Sequence, residues 1–335
     1  MSDINLRIQG KAGRITLQRP EALNAMTYDM CLAIEKALID WKNDPTVELV
    51  IIDALGEKAF CSGGDISNLY EAGLSKNYSY GKKFWADEYR LNALISNYPK
   101  PYISFMQGYT MGGGVGISCH GSHRIVCETS KIAMPECSIG LVPDVGGSLL
   151  LTKAPNNIGY FLGLTGTQMS ASDAIFAGFA DIFLPKDTWP ELIKKLEKSG
   201  DCSILDNGPI NTGFSQLADH KQLIKTAFAS KDLTKIADFL STSESQFSTI
   251  ALSQIKKNCP LAMSYTIERL SRLSSKSKIE DALDLEYRFT SRAQEYGNFQ
   301  EGIRAVIIDK DRKPKWKVEI NSVSKEMIDE FLKPV

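Results

Sequence analysis

Histidine is scarce in this chain. There are three in 335 residues, His120, His123 and His220. His120 and His123 are three positions apart, but Gly121 lies between them and no acidic third ligand is near, so a zinc-type ligand set is not expected. The seven cysteines are odd in number and scattered, with no C-x-x-C. That speaks against a zinc or disulfide framework and points to a reducing, cytoplasmic setting. No window approaches about 18 uninterrupted apolar residues, so no membrane span is expected. The opening "MSDINLRIQGKAGRITL" has neither the basic-then-apolar pattern of a signal peptide nor the Arg-rich composition of a transit peptide. A net charge of −1 provides no overall field for nucleic acid or an anionic membrane. There is no G-x-S-x-G nucleophile elbow and no phosphate-cradling G-x-x-x-x-G-K-[ST]. Gly112 and Gly114 fit the first two positions of G-x-G-x-x-G, but Ile117 occupies the third.

Hydrophobic residues make up 43% of the chain and charged ones 24%, an ordinary globular balance. "INLRIQ" and "GRITLQR" alternate like two strands, with Gly10–Gly13 as the turn of a hairpin. Thr27 is a candidate N-cap for a helix carrying Met30, Ile34, Leu38 and Trp41 at helical spacing. "VELVIIDAL" reads as a strand buried on both faces. "PYISFMQG" and "HRIVCET" read as further strands, with the start of a helix at "GGGVGISCHG" between them. Ser170 and Asp173 form a capping-box pattern at "SASDAIFAGF". This alternation predicts α/β layers. From about Leu217 helical patterns dominate, including "SQLADHKQLIKTAFA", "PLAMSYTIERLSRL" and "EGIRAVII". A boundary is expected in the turn-rich stretch around residues 200–215, dividing a core of 1–210 from a mostly helical region of 211–335.

Two features carry chemistry. Gly112–Gly114 follow one strand, and Gly63-Gly64 follow another just before Asp65. Glycines there let a ligand oxygen approach backbone N–H groups, and two such loops together would make an oxyanion hole. The same glycines also suit plain tight turns. The second feature is the acid pair Glu136 and Asp144 in "MPECSIGLVPDVGG". Two carboxylates held across a loop can divide the roles of base or nucleophile and of proton donor or orienter. Alternatively, Asp144 caps the helix that follows.

The segments "KAFCSGGDI", "GYTMGGGVGISCHGSHRI", "AMPECSIGLVPDVGGS" and "LGLTG" together resemble the enoyl-CoA hydratase/isomerase (crotonase) superfamily, and within it the 3-hydroxyisobutyryl-CoA hydrolase subgroup. The tail "FQEGIRAVIIDKDRKPKW" resembles that subgroup too. The resemblance implies an α/β fold, a spiral of ββα turns with a helical C-terminal region. It implies an acyl-CoA thioester as substrate, no metal or redox cofactor, and a possible homo-oligomer. It assigns the oxyanion donors to Gly64 and Gly113, with Asp65 and Ile66 beside the substrate. The hydratase glutamate expected two residues after "GGG" is replaced by Gly116, whereas Glu136 is retained. Asp144 matches the hydrolase subgroup, and Glu88, in "FWADEYRLNAL", matches a substrate-contacting position there. On its own, Glu88 reads as a solvated helix residue. Cys61 and Cys137 lie near these motifs, but neither has a histidine close in sequence, and each suits an apolar filler better than a nucleophile.

Overall fold

The computed structural model describes residues 3–205 and 213–335. The chain divides into two compact units that are not consecutive pieces of sequence. One comprises residues 1–65, 87–133 and 168–216; the other comprises 66–86, 134–167 and 217–335. The boundary expected between residues 210 and 211 lies outside the described residues.

The first unit carries the strands. β1 (Ile4–Gln9) and β2 (Ala12–Leu17) form the expected antiparallel hairpin, Ile4 opposite Leu17 and Gln9 opposite Ala12. β3 (Leu49–Ala54) then joins β2 in parallel. A parallel neighbour needs a crossover, here the helix Tyr28–Lys42, which starts where Thr27 accepts a hydrogen bond from the Met30 N–H. Gly13 matters for packing, because a Cβ there would sit 2.4 Å from the Trp41 ring of that helix. On the other face Ala12, Leu49, Ile51, Ile103 and Phe105 pack with Trp189 and Leu196 of the helix Trp189–Ser199. Both faces of the central strands are therefore covered, which explains the unbroken apolar run of β3.

The chain next makes the same move three times. β3, β5 (Tyr102–Met106) and β7 (His123–Val126) enter a six-stranded sheet of order β1-β2-β3-β5-β7-β9. Each is followed by a three-residue strand of a second sheet: β4 (Ala59–Cys61), β6 (Tyr109–Met111) and β8 (Lys131–Ala133). β9 (Ile182–Phe183) closes the larger sheet beside β7. This is the expected α/β spiral of ββα turns. The three short strands are the part that alternation could not reveal.

The second unit is helical. It contains Ser67–Leu74, Gly147–Lys153, Ile158–Thr165 and the helices after Leu217, of which Pro260–Arg272 and Ile279–Ala293 are long. Two sequence readings are refined here. "SQLADHKQLIKTAFA" is two helices, Gln216–Asp219 and Lys221–Ala227, broken at His220. "EGIRAVII" begins as the helix Phe299–Ile303 and widens into a π-helical turn over Arg304–Ile308. Elsewhere in the chain, the capping box predicted at Ser170 is present, with Ser170 and Asp173 exchanging hydrogen bonds. No described helix is long and apolar enough to cross a membrane.

Candidate active site

In the strand-bearing unit, β4 delivers the chain into Ser62, Gly63 and Gly64. Gly63 has a φ of +118°, a conformation that suits glycine. The loop is stitched to Met26, whose N–H donates to the Gly63 carbonyl at 2.9 Å and whose carbonyl accepts from the Asp65 N–H at 2.8 Å. β6 delivers Gly112, also at positive φ, into the short helix Gly113–Ser118. Gly114 fixes how closely that helix approaches β4: a Cβ there would meet the Cys61 carbonyl oxygen at 2.4 Å. A Cβ on Gly113 would lie 3.0 Å from Glu88 Oε1 and 3.1 Å from the Gly64 nitrogen. The two expected amide donors and the Glu88 carboxylate therefore converge on one spot. Among the described residues, neither the Gly64 nor the Gly113 N–H donates a backbone hydrogen bond.

Glu88 sits on the helix Tyr78–Ser96 and is 3% exposed, so it is not the solvated helix glutamate its local sequence suggested. Asp65 pairs with Arg19 at 3.3 Å. Cys61 is fully buried, and burial pushes its thiol up to about 12, which disfavours it as a nucleophile at neutral pH. The His123 ring meets the Ser122 hydroxyl at 2.9 Å.

In the helical unit, Glu136 opens a 3-10 turn, Glu136–Ile139, that ends at Gly140 in the left-handed region. The chain continues through Pro143 to Asp144. Val145, at φ +54°, and Gly146, at φ +77°, follow. A β-branched residue in that region is uncommon and strained. The N-cap of the helix Gly147–Lys153 is Gly146 and not Asp144, whose carbonyl accepts from the Gly147 N–H at 2.7 Å. Asp144 is therefore not the cap of that helix.

Glu136 and Asp144 are 5% and 4% exposed. Burial raises the Glu136 carboxyl well above the ordinary carboxylate range, and the Asp144 charge adds to it. Glu136 Oε2 has no hydrogen-bond partner among the described residues. Two residues that sequence reasoning did not single out complete the cluster. Glu286 accepts from the Gly146 N–H at 2.7 Å, from the Ser148 N–H at 3.0 Å and from the Ser148 hydroxyl. Arg269 is fully buried, and its charge opposes the rise at both Glu136 and Glu286. Cys137, next to Glu136, lies 3.8 Å from the Thr266 hydroxyl, and burial raises its thiol as well. Ile66 precedes the helix Ser67–Leu74 as its N-cap, without a capping side-chain bond.

Residues 12–332 match the family model described as enoyl-CoA hydratase/isomerase. The chain belongs to that family. Its curated relatives include the 3-hydroxyisobutyryl-CoA hydrolases, mitochondrial, of Gallus gallus and Bos taurus. The Gallus protein is 36% identical, with 100% of this chain and 89% of that protein covered. The Bos protein is 37% identical, with coverages of 99% and 89%. Among solved structures, an enoyl-CoA hydratase from Rhodobacter sphaeroides is 49% identical with a TM-score of 0.96, covering 100% of this chain and 98% of that one. A carnitinyl-CoA dehydratase from Mycobacterium thermoresistibile is 35% identical with a TM-score of 0.95, covering 100% and 97%. The crotonase fold thus holds over the whole chain.

Proposed function

We propose that this protein hydrolyses the thioester of 3-hydroxyisobutyryl-CoA or a similarly short β-hydroxyacyl-CoA, a step of valine breakdown. The observation that carries the reading is the buried Glu136 carboxylate, one oxygen unbonded, beside Asp144, while Gly116 leaves the other acid position of a hydratase without a carboxylate. The names of the full-length relatives support the same reaction. The thioester oxygen accepts from the Gly64 and Gly113 amides, each such donor contributing about 3 kcal/mol to an acyl-transfer transition state. Glu136 attacks the carbonyl carbon to form a mixed anhydride, or removes a proton from the attacking water. Asp144 orients that water and assists proton delivery to the departing CoA sulfur. Water supplies the second oxygen of the product carboxylate, and CoA leaves as the thiol. Coenzyme A is part of the substrate, and no separate cofactor enters. The unpaired cysteines suit a reducing compartment such as the cytoplasm, although the vertebrate relatives carry mitochondrial names.

The second reading is hydration of an enoyl-CoA, favoured by the name of the Rhodobacter structure. A thiol-release assay across a panel of acyl-CoAs, run beside crotonyl-CoA absorbance, separates the two. Thiol release from 3-hydroxyisobutyryl-CoA is expected, unchanged by EDTA. Crotonyl-CoA hydration that outpaces it would establish the second reading.

Glu88 has a separate role, accepting the hydrogen bond of the substrate hydroxyl. A site built to hydrogen-bond a substrate hydroxyl discriminates against an acyl chain lacking it. The wild type is expected to prefer 3-hydroxyisobutyryl-CoA over isobutyryl-CoA in kcat/KM, and Glu88→Ala to narrow the gap by harming the hydroxylated substrate more. Equal losses on both thioesters would remove Glu88 from this role.

A further inference from the structure

Arg269 lies on the helix Pro260–Arg272 within "YTIERLSRL", which reads as the charged side of an ordinary amphipathic helix. The structure buries it completely, and it is the largest of the fully buried side chains. None of its three guanidinium nitrogens meets a protein acceptor among the described residues, and no carboxylate lies within ion-pair distance. A buried guanidinium without a direct partner is expensive and cannot shed its charge. Something in its surroundings must reward that charge.

The neighbouring groups are unequal. Glu286 is immobilised by three hydrogen bonds from Gly146 and Ser148. Glu136 keeps an unbonded oxygen, as a group that reacts must. Thr266, one turn before Arg269, touches Cys137 beside Glu136, so the inner side of this helix faces the turn that bears the reacting acid. Asp144 and Glu286 both oppose ionisation of Glu136, as does burial. The other titratable groups near the cluster, the Tyr265 phenol and the Cys137 and Cys259 thiols, are all held in their neutral forms by burial. Charged residues of the flanking helices are paired among themselves, Glu268 with Arg272 and Glu301 with Arg304, or exposed, as Lys153 is. Arg269 is thus the cation that acts on Glu136 and Glu286.

We propose that Arg269 is a positioning residue for the hydrolysis: its guanidinium, bonded to neither acid, supplies a field that favours the carboxylate form of Glu136 against Asp144 and Glu286. The lack of a direct contact is functional in this arrangement. A bidentate pair would ionise Glu136 but also occupy the oxygens it needs for attack. The proposal rests on the hydrolase reading for its purpose, but its electrostatic content can be measured without turnover.

The test follows the Glu136 carboxyl by infrared titration, assigning its band as the one lost in Glu136→Gln. In Arg269→Met the titration midpoint is expected to rise by about one pH unit or more, a tenfold fall in the ratio of carboxylate to acid at a fixed pH. Arg269→Lys, which keeps the charge, is expected to stay near the wild type. The acid limb of kcat/KM for thiol release should move with the midpoint while KM changes little. Should Arg269→Met fail to fold, Arg269→Met/Glu286→Gln is compared with Glu286→Gln alone, and the same upward displacement is expected. A folded Arg269→Met, or the double variant, with an unmoved midpoint would overturn the proposal, since a purely structural arginine alters stability but not that titration. A wild type that releases no thiol would overturn the hydrolase reading instead, and the infrared midpoints would still decide whether Arg269 ionises Glu136.

Discussion

Glu136→Gln is expected to lower kcat for thiol release by a factor on the order of 100 or more while making the protein more stable at neutral pH. The two effects share a cause. Burial and the Asp144 charge raise the Glu136 carboxyl far above its unfolded value. A carboxyl raised on folding binds more protons in the native state, so its favourable contribution is complete below about pH 4 and is lost as pH rises through the native value. At neutral pH the wild type carries the cost of that raised carboxyl, which glutamine lacks, although the new amide still has to find a partner. The stability gain should therefore vanish in acid and grow with pH. Urea unfolding of both proteins from pH 4 to 8, with thiol-release kinetics alongside, checks this. Equal stabilities across that range would mean that folding does not raise the Glu136 carboxyl. Asp144→Asn is also expected to lose turnover. If the acids act as a unit, the double variant should be little worse than the worse single one.

Gly113→Ala should abolish most turnover, by a factor on the order of 100 to 1,000, in a protein that still folds. The added methyl would sit 3.1 Å from the Gly64 nitrogen and 3.0 Å from Glu88 Oε1. In the proposed hydrolysis that is the spot where the substrate carbonyl oxygen approaches the amides. The clash is with one backbone atom and the end of one side chain, so local adjustment can keep the fold. Circular dichroism and melting beside kcat make the check. A folded variant with normal turnover would show that the carbonyl binds elsewhere.

The elements that could be read from the sequence were those with strong local rules. Thr27 and Ser170 cap helices because their hydroxyls reach N–H groups three residues on, a relation contained in a few residues. The β1–β2 hairpin and the buried β3 follow from apolar patterning in the same way. β4, β6 and β8 are each three residues long, too short for a period to show. The glycine loops and the acid pair stood out only as candidates, since turns and caps use the same residues; the family resemblance, not the chemistry of single residues, distinguished them. Apart from the resemblance that singled out Glu88, nothing in the sequence told Glu88, Arg269 or Glu286 from surface charges, because their meaning comes from burial. Each lies on a helix whose local pattern is unremarkable, and only the packing of distant segments removes them from water.

Glu286 grips the Asp144 loop through Gly146, 140 residues earlier in the chain. At a synthesis rate of about 5–20 residues per second, the loop waits roughly ten seconds on the ribosome for its clamp. Until then the Gly146 and Ser148 N–H groups lack the acceptor that holds the loop after Asp144. A nascent or prematurely terminated chain, even one with every strand in register, would therefore carry this loop without the carboxylate that holds it.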